Sequence, residues 1–298
     1  MTGPHNPIEI FDQRVLRRHR ARAARMGGTA EFLFGESGER LADRLRDVNR
    51  RFERALDLGC RDGALTQHLR ALGIGHVIAA DAAEAFCPGI VTDAEALPFA
   101  RGSFDLIVSN LALHWTNDLP GALLQLRQML KPDGLLVAAM WGGATLDELR
   151  MAWLEAESDI ESGASPRVSP FADPRDLAGL LQRAGFALPV VDSDRLEVTY
   201  PDMLKLMQDL RAMGETNATV QRRKNFTRRA TMLRAAEIYQ QRHAGADGRI
   251  PASFEMITLT AWAPHESQQK PLRPGSAETR LADTLGTREH KAGDKATP

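Results

Sequence analysis

The sequence is poor in cysteine and has no long apolar run. Two cysteines among 298 residues, Cys60 and Cys87, are too few for a disulfide framework, so we expect a reducing compartment. A bilayer crossing needs roughly eighteen or more consecutive apolar residues, and no such stretch occurs, so we predict no transmembrane segment. The N-terminal residues also lack the apolar stretch that is typical of a signal peptide.

Neither sign of charge is in excess. Lysine and arginine number 38 against 39 acidic residues, which gives a formal net charge of −1 at pH 7. The chain as a whole therefore has no electrostatic attraction for nucleic acid, and we predict no nucleic-acid partner. Residues 14–25 are locally basic, with six arginines and few large apolar residues. We interpret this segment as a solvated helix that flanks a ligand site, with an acidic partner as the open alternative.

Length and pattern predict one enlarged α/β domain. Strand-like and helix-like segments alternate from residue 54 onward, which indicates a doubly wound sheet with helices on both faces. We divide the chain into a basic helical cap over residues 1–50, a main domain over residues 51–262 and a flexible tail over residues 263–298. A mostly helical insertion is expected at about residues 145–250 of the main domain.

Two strand ends carry the features of a nucleotide-like cofactor site. The first apolar run contains Asp57 and leads into Gly59 and Gly63, which allow close backbone approach because they have no Cβ. The helix that follows would offer its N-terminus to the ligand. A second apolar run ends at Asp81, where a carboxylate would accept hydrogen bonds from a ribose diol.

Further candidates follow the third and fourth predicted strands. Asp93 ends the third strand, and it is interpreted either as an acceptor for an adenine amino group or as an ordinary turn residue. Asn110 ends the fourth strand, and His114 and Trp115 come directly after it. For His114, a general base, a metal ligand and a hydrogen-bonded wall all stay open, whereas Trp115 is expected to line a pocket or the core.

The order of these motifs resembles a known enzyme class. The glycine turn, Asp81, Asp93 and residues 109–115 resemble the class I S-adenosylmethionine-dependent methyltransferases, close to the malonyl-acyl-carrier O-methyltransferases. Further segments over roughly residues 8–277 resemble the mitochondrial complex I assembly factor 5 family. They are Phe11-Asp12, residues 114–120, residues 140–143, residues 145–150, Ser169-Pro170-Phe171, residues 203–215 and residues 265–268.

The resemblance implies a fold, a cofactor and a reaction. The fold is a mostly parallel, Rossmann-like sheet of seven strands, and the cofactor is S-adenosylmethionine. The reaction is hydroxylation of an arginine on the complex I subunit near the quinone site, carried out in the bacterial cytoplasm by an assembly enzyme; the partner is that subunit or another protein substrate. The expected cofactor contacts are Asp57, Gly59, Cys60, Gly63, Asp81, Asp93, Ala94 and Asn110. The resemblance leaves the catalytic residues unknown and gives His114 and Trp115 as the substrate-facing candidates.

One position departs from the family pattern. Arg61 stands where the usual pattern has a glycine between Gly59 and Gly63, so its side chain would crowd the methionine end of the cofactor or point into solvent.

The oxidant is not identified, and two other functions stay open. Hydroxylation of an unactivated carbon needs an oxidant such as iron or flavin, yet the eight histidines show no ligand spacing, so we predict no metal site and identify no oxidant. The alternatives are methyl transfer to a malonyl-carrier-type carboxylate, which the basic runs at residues 14–25 and 222–229 would suit, and a non-catalytic assembly chaperone.

Overall fold

A seven-stranded sheet forms the centre of the fold. The computed structural model describes residues 9–27, 31–86, 89–161, 163–269, 279 and 281–287. The strands in chain order are β1 (Arg54–Leu58), β2 (His76–Asp81), β3 (Ile90–Val91), β4 (Phe104–Asn110), β5 (Leu130–Trp141), β6 (Ala187–Tyr200) and β7 (Ile250–Trp262).

The strand order is β3-β2-β1-β4-β5-β7-β6. Strands β1 to β5 pair in parallel, and β7 runs antiparallel to both β5 and β6. This arrangement confirms the predicted doubly wound, mostly parallel sheet of seven strands.

Helices connect the strands and cover both faces of the sheet. The described helices are α1 (Gln13–Met26), α2 (Phe32–Arg46), α3 (Ala64–Ala71), α4 (Leu119–Met129), α5 (Asp147–Glu161), α6 (Pro174–Arg183), α7 (Met203–Met213), α8 (Arg229–His243) and α9 (Leu281–Leu285), with a 3₁₀ turn at Leu113–Trp115. None of the described helices combines the length and apolar character that a bilayer crossing requires.

The apolar core lies on both sides of β5. Successive side chains of a strand point to opposite faces. Leu135 and Val137 accordingly join the core that contains α2, α5, α7 and α8, whereas Leu136 and Ala138 join the core that contains α4 and α6. Because both faces are buried, the strand has the continuous apolar run that is typical of parallel sheets.

The candidate ligand site lies at the carboxyl edge of the central strands. The winding direction reverses between β1 and β4, and ligands of open parallel sheets bind beyond such a switch point. Leu58 at the end of β1 is in register with Ala80 of β2 and Ser109 of β4. The residues that follow these three positions therefore lie at one edge of the sheet.

The predicted division of the chain stays a prediction. The interval 145–250 contains α5 to α8, but it also contains β6, which pairs with β7 along most of its length. Besides its four helices, the interval therefore supplies an edge strand of the sheet. By its contacts the chain splits into two units, residues 1–264 and residues 265–298, and α9 belongs to the second. Residues 1–8 and 28–30 of the predicted cap, Cys87, and residues 270–278, 280 and 288–298 of the predicted tail lie outside the described residues.

Candidate functional site

The turn after β1 has the backbone conformation that the sequence predicts. Gly59 and Gly63 have φ angles of 81° and 82°, in the left-handed region that glycine adopts without strain. The amides of Gly59 and Cys60 both donate to the carbonyl oxygen of Ala80, at 2.7 and 3.1 Å. A Cβ on Gly59 would lie 2.4 Å from the Cβ of Ala112. Packing within the chain therefore already requires glycine at position 59.

Asp57 is buried and only partly hydrogen-bonded. The hydroxyl of Thr66 donates to Oδ2 of Asp57 at 2.6 Å, while Oδ1 has no hydrogen-bond partner among the described residues. Burial raises the pKa of Asp57 to about 7; the hydrogen bond from Thr66 opposes this shift, and the charges of Asp81 and Asp62 add to it. Asp57 is therefore a buried carboxyl group that is protonated over part of the neutral pH range.

Asp81 is held by an arginine of α1. Nε and Nη2 of Arg20 donate to Oδ1 and Oδ2 of Asp81, at 3.2 and 2.5 Å. The amides of Ala83 and Arg61 donate to the same two oxygens, at 2.8 and 3.2 Å. Each oxygen thus has two donors, and both side chains are almost fully buried. The expectation that the basic segment is a wholly solvated helix is therefore wrong at Arg20.

Arg61 is also buried rather than directed into solvent. Its φ is 47°, an uncommon conformation for a residue with a Cβ. Its guanidinium pairs with Glu31, with Nη2 2.7 Å from Oε1, and donates to the carbonyl oxygen of Met213 at 3.0 Å. It also lies over the rings of Phe34 and Phe86, with centroid distances of 3.6 and 4.6 Å. Arg61 therefore fills space where a glycine would leave room.

The other predicted cofactor contacts are close to these groups. Asp93 accepts from Arg17 at 3.1 Å on a more exposed part of the edge. Nδ2 of Asn110 donates to the carbonyl oxygen of Phe34, and the thiol of Cys60 is buried. Gly59, Asp93 and Ala94 line one cavity together with Arg20 and Trp115, whereas Asp57, Gly63 and Asp81 are not among its lining residues.

With Arg20 paired to Asp81, the cavity at this edge is smaller than S-adenosylmethionine. The cavity at the strand ends has a volume of about 40 Å³. A water needs roughly 10–15 Å³ by the same kind of measure, and pockets for small organic ligands span about 300–1,000 Å³. The carboxylate that would bind a ribose is also saturated by Arg20 and two amides. The cofactor has room here only if Arg20 moves.

A second polar cluster follows β4. Nε2 of His114 and Nε1 of Trp115 each lie 3.2 Å from Oε2 of Glu215, which comes two residues after α7. His114 and Glu215 are buried, and Phe171 lies edge-on to the imidazole at 5.2 Å. Glu215 was not predicted as a site residue, because its 101-residue separation from His114 gives no spacing signal.

The charges around this cluster define its protonation. Burial lowers the pKa of His114 against the opposing hydrogen bond to Glu215, so the imidazole is neutral. Burial would raise the pKa of Glu215, but the contact with His114 and the charges of Arg61 and Arg20 lower it overall. An ionised Glu215 requires the proton of His114 to be on Nε2, which leaves a lone pair on Nδ1. Nδ1 of His114 and Oε1 of Glu215 have no hydrogen-bond partner among the residues described.

In the described part of the chain, no group of three or more His, Cys, Asp and Glu side chains is arranged to hold a metal ion. The chemistry of the His114–Glu215 pair therefore depends on the hydrogen-bonding capacity of its own atoms. It presents one carboxylate oxygen and one imidazole lone pair, which accept hydrogen bonds or hold a proton.

Comparison with known proteins places the chain in a family. A family model described as a methyltransferase domain matches residues 18–189. The human protein named "Arginine-hydroxylase NDUFAF5, mitochondrial" is 43% identical over 294 residues, which cover 95% of this chain and 85% of the human one. The rat protein of the same name is 43% identical over 93% of this chain and 84% of its own length. The chain belongs to the NDUFAF5 family of methyltransferase-domain proteins.

A more distant relative of the NDUFAF5 family member described here carries a different activity in its name. The malonyl-[acyl-carrier protein] O-methyltransferase of Halorhodospira halophila is 33% identical, over 95% of this chain and 98% of its own. Among solved structures, the YcgJ protein of Bacillus subtilis matches 76% of this chain and 99% of its own, with a TM-score of 0.53 and 15% identity. That likeness concerns the fold alone. Together these matches confirm the predicted family and the class I methyltransferase fold.

The predicted location is wrong. We expected a bacterial cytoplasmic protein, but the NDUFAF5 relatives from rat, mouse, human, zebrafish and Dictyostelium are all named as mitochondrial. Cysteine content and the absence of apolar runs did not distinguish these compartments, because both contain reduced, water-soluble proteins.

The raised pKa of Asp57 predicts a specific pH dependence of stability. An exposed aspartate ionises near pH 4, whereas folded Asp57 keeps its proton to about pH 7. Between these values the folded state binds more protons than the unfolded state, so the contribution of Asp57 to stability falls as the pH rises. Relative to Asp57→Asn, the wild type should lose up to about 4 kcal/mol between pH 4 and pH 8.

Urea unfolding of both proteins across this pH range measures the effect. Asp47→Asn changes an exposed aspartate and serves as the control, which should follow the wild type at every pH. A constant stability difference between wild type and Asp57→Asn would contradict the burial argument.

Proposed function

We propose that this chain hydroxylates an arginine of the quinone-site subunit during assembly of respiratory complex I, and that the substrate guanidinium binds at the His114–Glu215 pair. The observation that carries the proposal is a buried, ionised carboxylate with one unpartnered oxygen, in contact with a neutral histidine. The names of the NDUFAF5 relatives support the choice of arginine as the substrate side chain.

The chemistry of the pair suits a guanidinium. Arginine presents five N–H donors in a planar fork and accepts no hydrogen bond. Oε1 of Glu215 would take a charge-assisted hydrogen bond from it, and Nδ1 of His114 would accept a second or hold a proton. The rings of Trp115 and Phe171 lie 5.2 Å from the imidazole, so aromatic faces that attract a guanidinium are close to the same position.

Glu215, but not His114, lines a cavity that could admit a substrate side chain. Glu215 lines a cavity of about 460 Å³ between α1, α5 and α7. This volume is within the range of about 300–1,000 Å³ that is usual for ligand pockets. A substrate side chain could therefore approach Glu215 from this cavity without passing the residues around Asp81.

The two residues have roles that do not depend on the identity of the oxidant. Hydroxylation replaces a C–H bond by C–O–H and removes two electrons from the substrate. An external oxidant must therefore accept these two electrons. Glu215 would hold the guanidinium in one orientation, and His114 would fix the position of Glu215 through their hydrogen bond.

We also propose that S-adenosylmethionine binds only after Arg20 has left Asp81. The methyltransferase-domain match supports the cofactor, and the saturated carboxylate of Asp81 explains why it must compete. Breaking a buried pair from one side costs roughly 3–5 kcal/mol, and the cofactor would have to offset this cost. Affinity of the wild type for S-adenosylmethionine should therefore be weak.

Arg20→Gln tests this competition. The variant removes the guanidinium from Asp81, so it should bind S-adenosylmethionine at least about tenfold more tightly than wild type, which corresponds to about 1.4 kcal/mol. Isothermal titration of both proteins gives the comparison, and Arg18→Gln, at an exposed position of the same helix, is the control. Equal or weaker binding by Arg20→Gln would contradict the competition.

Methyl transfer to a carboxylate is the second candidate. Five arginines line the cavity beside Glu215, and they would attract an acidic acceptor more readily than an arginine. The malonyl-carrier methyltransferase relative is in line with this reading. It requires no oxidant and only positioning of the acceptor. The third reading, a chaperone without turnover, would need neither His114 nor Glu215 for complex I assembly.

Glu215→Gln separates these functions. The variant removes the charge that would bind the guanidinium, so the hydroxylated fraction of the substrate arginine should fall at least about tenfold, as expected for loss of a charge-assisted hydrogen bond. Tandem mass spectrometry of the quinone-site subunit, from cells that express wild type or variant, measures this fraction. Glu237→Gln, at an exposed glutamate of α8, is the matched control and should leave the fraction unchanged.

Three outcomes would contradict the proposal. Unchanged hydroxylation in Glu215→Gln would remove Glu215 from the site. An arginine that carries no added oxygen in wild-type cells would favour methyl transfer, which purified protein and a malonyl-carrier acceptor would then reveal. Normal complex I assembly with both Glu215→Gln and His114→Gln would favour the chaperone.

A further inference from the structure

The cavity that Glu215 lines has a strongly basic rim. It lies between α1, α5, α7 and the segment 166–171, and five arginines contribute to its lining: Arg22, Arg167, Arg211, Arg222 and Arg223. The lining also contains six apolar residues: Leu146, Leu149, Trp153, Phe171, Met207 and Leu210. The cavity therefore offers both positive charge and hydrocarbon surface to a ligand.

Three of the five arginines have carboxylate partners in the chain. Glu157 pairs with Arg167, Glu161 pairs with Arg223, and Arg222 lies 3.1 Å from Asp12. Their charges are therefore compensated, and they serve as structural contacts between the helices and loops around the cavity.

The other two arginines lack such compensation. Neither Arg22 nor Arg211 forms an ion pair with a carboxylate of the described residues. Nη2 of Arg22 reaches Thr216 at 3.3 Å, while its buried Nε has no hydrogen-bond partner in the described part of the chain. Burial lowers the pKa of Arg22, and the nearby charge of Arg211 lowers it further. Two like charges without a carboxylate partner among the described residues therefore line the same cavity.

His19 also lines this cavity, and the charges of the nearby arginines affect its pKa. Its Nδ1 lies 2.8 Å from Oγ1 of Thr216, next to the contact of Arg22. Burial, followed by the charge of Arg22 and, more weakly, the charges of Arg222 and Arg211, lowers the pKa of His19 to about 4. The histidine is therefore neutral at physiological pH, and the local charge is that of the two arginines.

The carboxylate of Glu215 does not compensate the charges of Arg22 and Arg211. Its Oε2 already accepts from His114 and Trp115, and the buried arginines Arg20 and Arg61 also act on its charge. An unpartnered buried N–H is costly, and an oxyanion between two arginines removes both that cost and their mutual repulsion.

We propose that this cavity binds an organic oxyanion, a carboxylate or a phosphate carried on an apolar body, through Arg22 and Arg211. The six apolar lining residues contact the hydrocarbon part of the ligand, and the two arginines bind its charged end. The site is separate from the Asp81 edge, but it shares the cavity that Glu215 lines, and binding alone defines it.

Binding of short alkyl probes tests the proposal. Hexanoate, hexyl phosphate and hexanol share one apolar chain and differ in the end group. Ligand-observed NMR titration of the wild type should show binding of at least one of the two anions and weaker binding of hexanol. The preferred anion then distinguishes a carboxylate ligand from a phosphate ligand.

Variants locate the binding to the two arginines. In Arg22→Gln/Arg211→Gln the dissociation constant for the anion should rise at least about tenfold, as expected for loss of charge-assisted hydrogen bonds, while that for hexanol stays the same. Arg175→Gln removes the same charge from α6, outside the cavity lining, and should bind like wild type. Arg211→Gln alone, at an exposed position, gives a second test if the double variant unfolds.

The outcomes are separable from those of the proposed function. Failure of both anions to bind wild type, equal binding of hexanol, or equal loss in Arg175→Gln would overturn the oxyanion site. The dissociation constants of the three probes do not depend on whether the protein hydroxylates the substrate arginine.

Discussion

The buried ion pair between Arg20 of α1 and Asp81 of β2 is the constraint on which the rest of the site depends. Removing both charges from water is costly, and the pair is stable only because two further amides complete the hydrogen bonds of the carboxylate. Two consequences follow. The pair fixes α1 against the sheet edge, and it occupies the acid that a Rossmann-like fold would offer to a ribose. A family fold is therefore retained while its usual ligand edge is closed from within the chain.

The helix α1 also contributes to a second, more open cavity. The cavity between α1, α5 and α7 is lined in part by Glu215, whose Oε2 accepts hydrogen bonds from His114 and Trp115 and whose charge is favoured by the buried arginines Arg20 and Arg61. The same helix thus contributes Arg20 to the closed edge and His19 and Arg22 to the open cavity. His19, Arg20 and Arg22 lie within one turn of α1, so a movement of this helix would change both environments.

The fold could be predicted from the sequence because its signals are local. Each signal spans about ten residues or fewer. The signals are the apolar runs that contain Asp57 and Asp81, the glycines of the turn, and the alternation of strands with helices. The site could be predicted only in part. Arg20 and Asp81 are 61 residues apart, and Glu215 and His114 are 101 apart, so only the folded chain brings them together. A basic segment predicts a solvated helix on average, and nothing in its pattern distinguishes the one arginine that is buried. Likewise, β6 pairs along its length with a strand that begins fifty residues after β6 ends, which a local pattern does not reveal.

The measurement that tests this account most directly is a double-mutant cycle between Arg20 and Asp81. The free energies of unfolding of wild type, Arg20→Gln, Asp81→Asn and the double variant are obtained from urea denaturation. Each single variant leaves a buried group unpaired and should cost about 3–5 kcal/mol, and the double variant should cost less than the sum of the two by more than about 1 kcal/mol. Costs that add to within about 0.5 kcal/mol would show that the two side chains are not coupled, and would contradict the account.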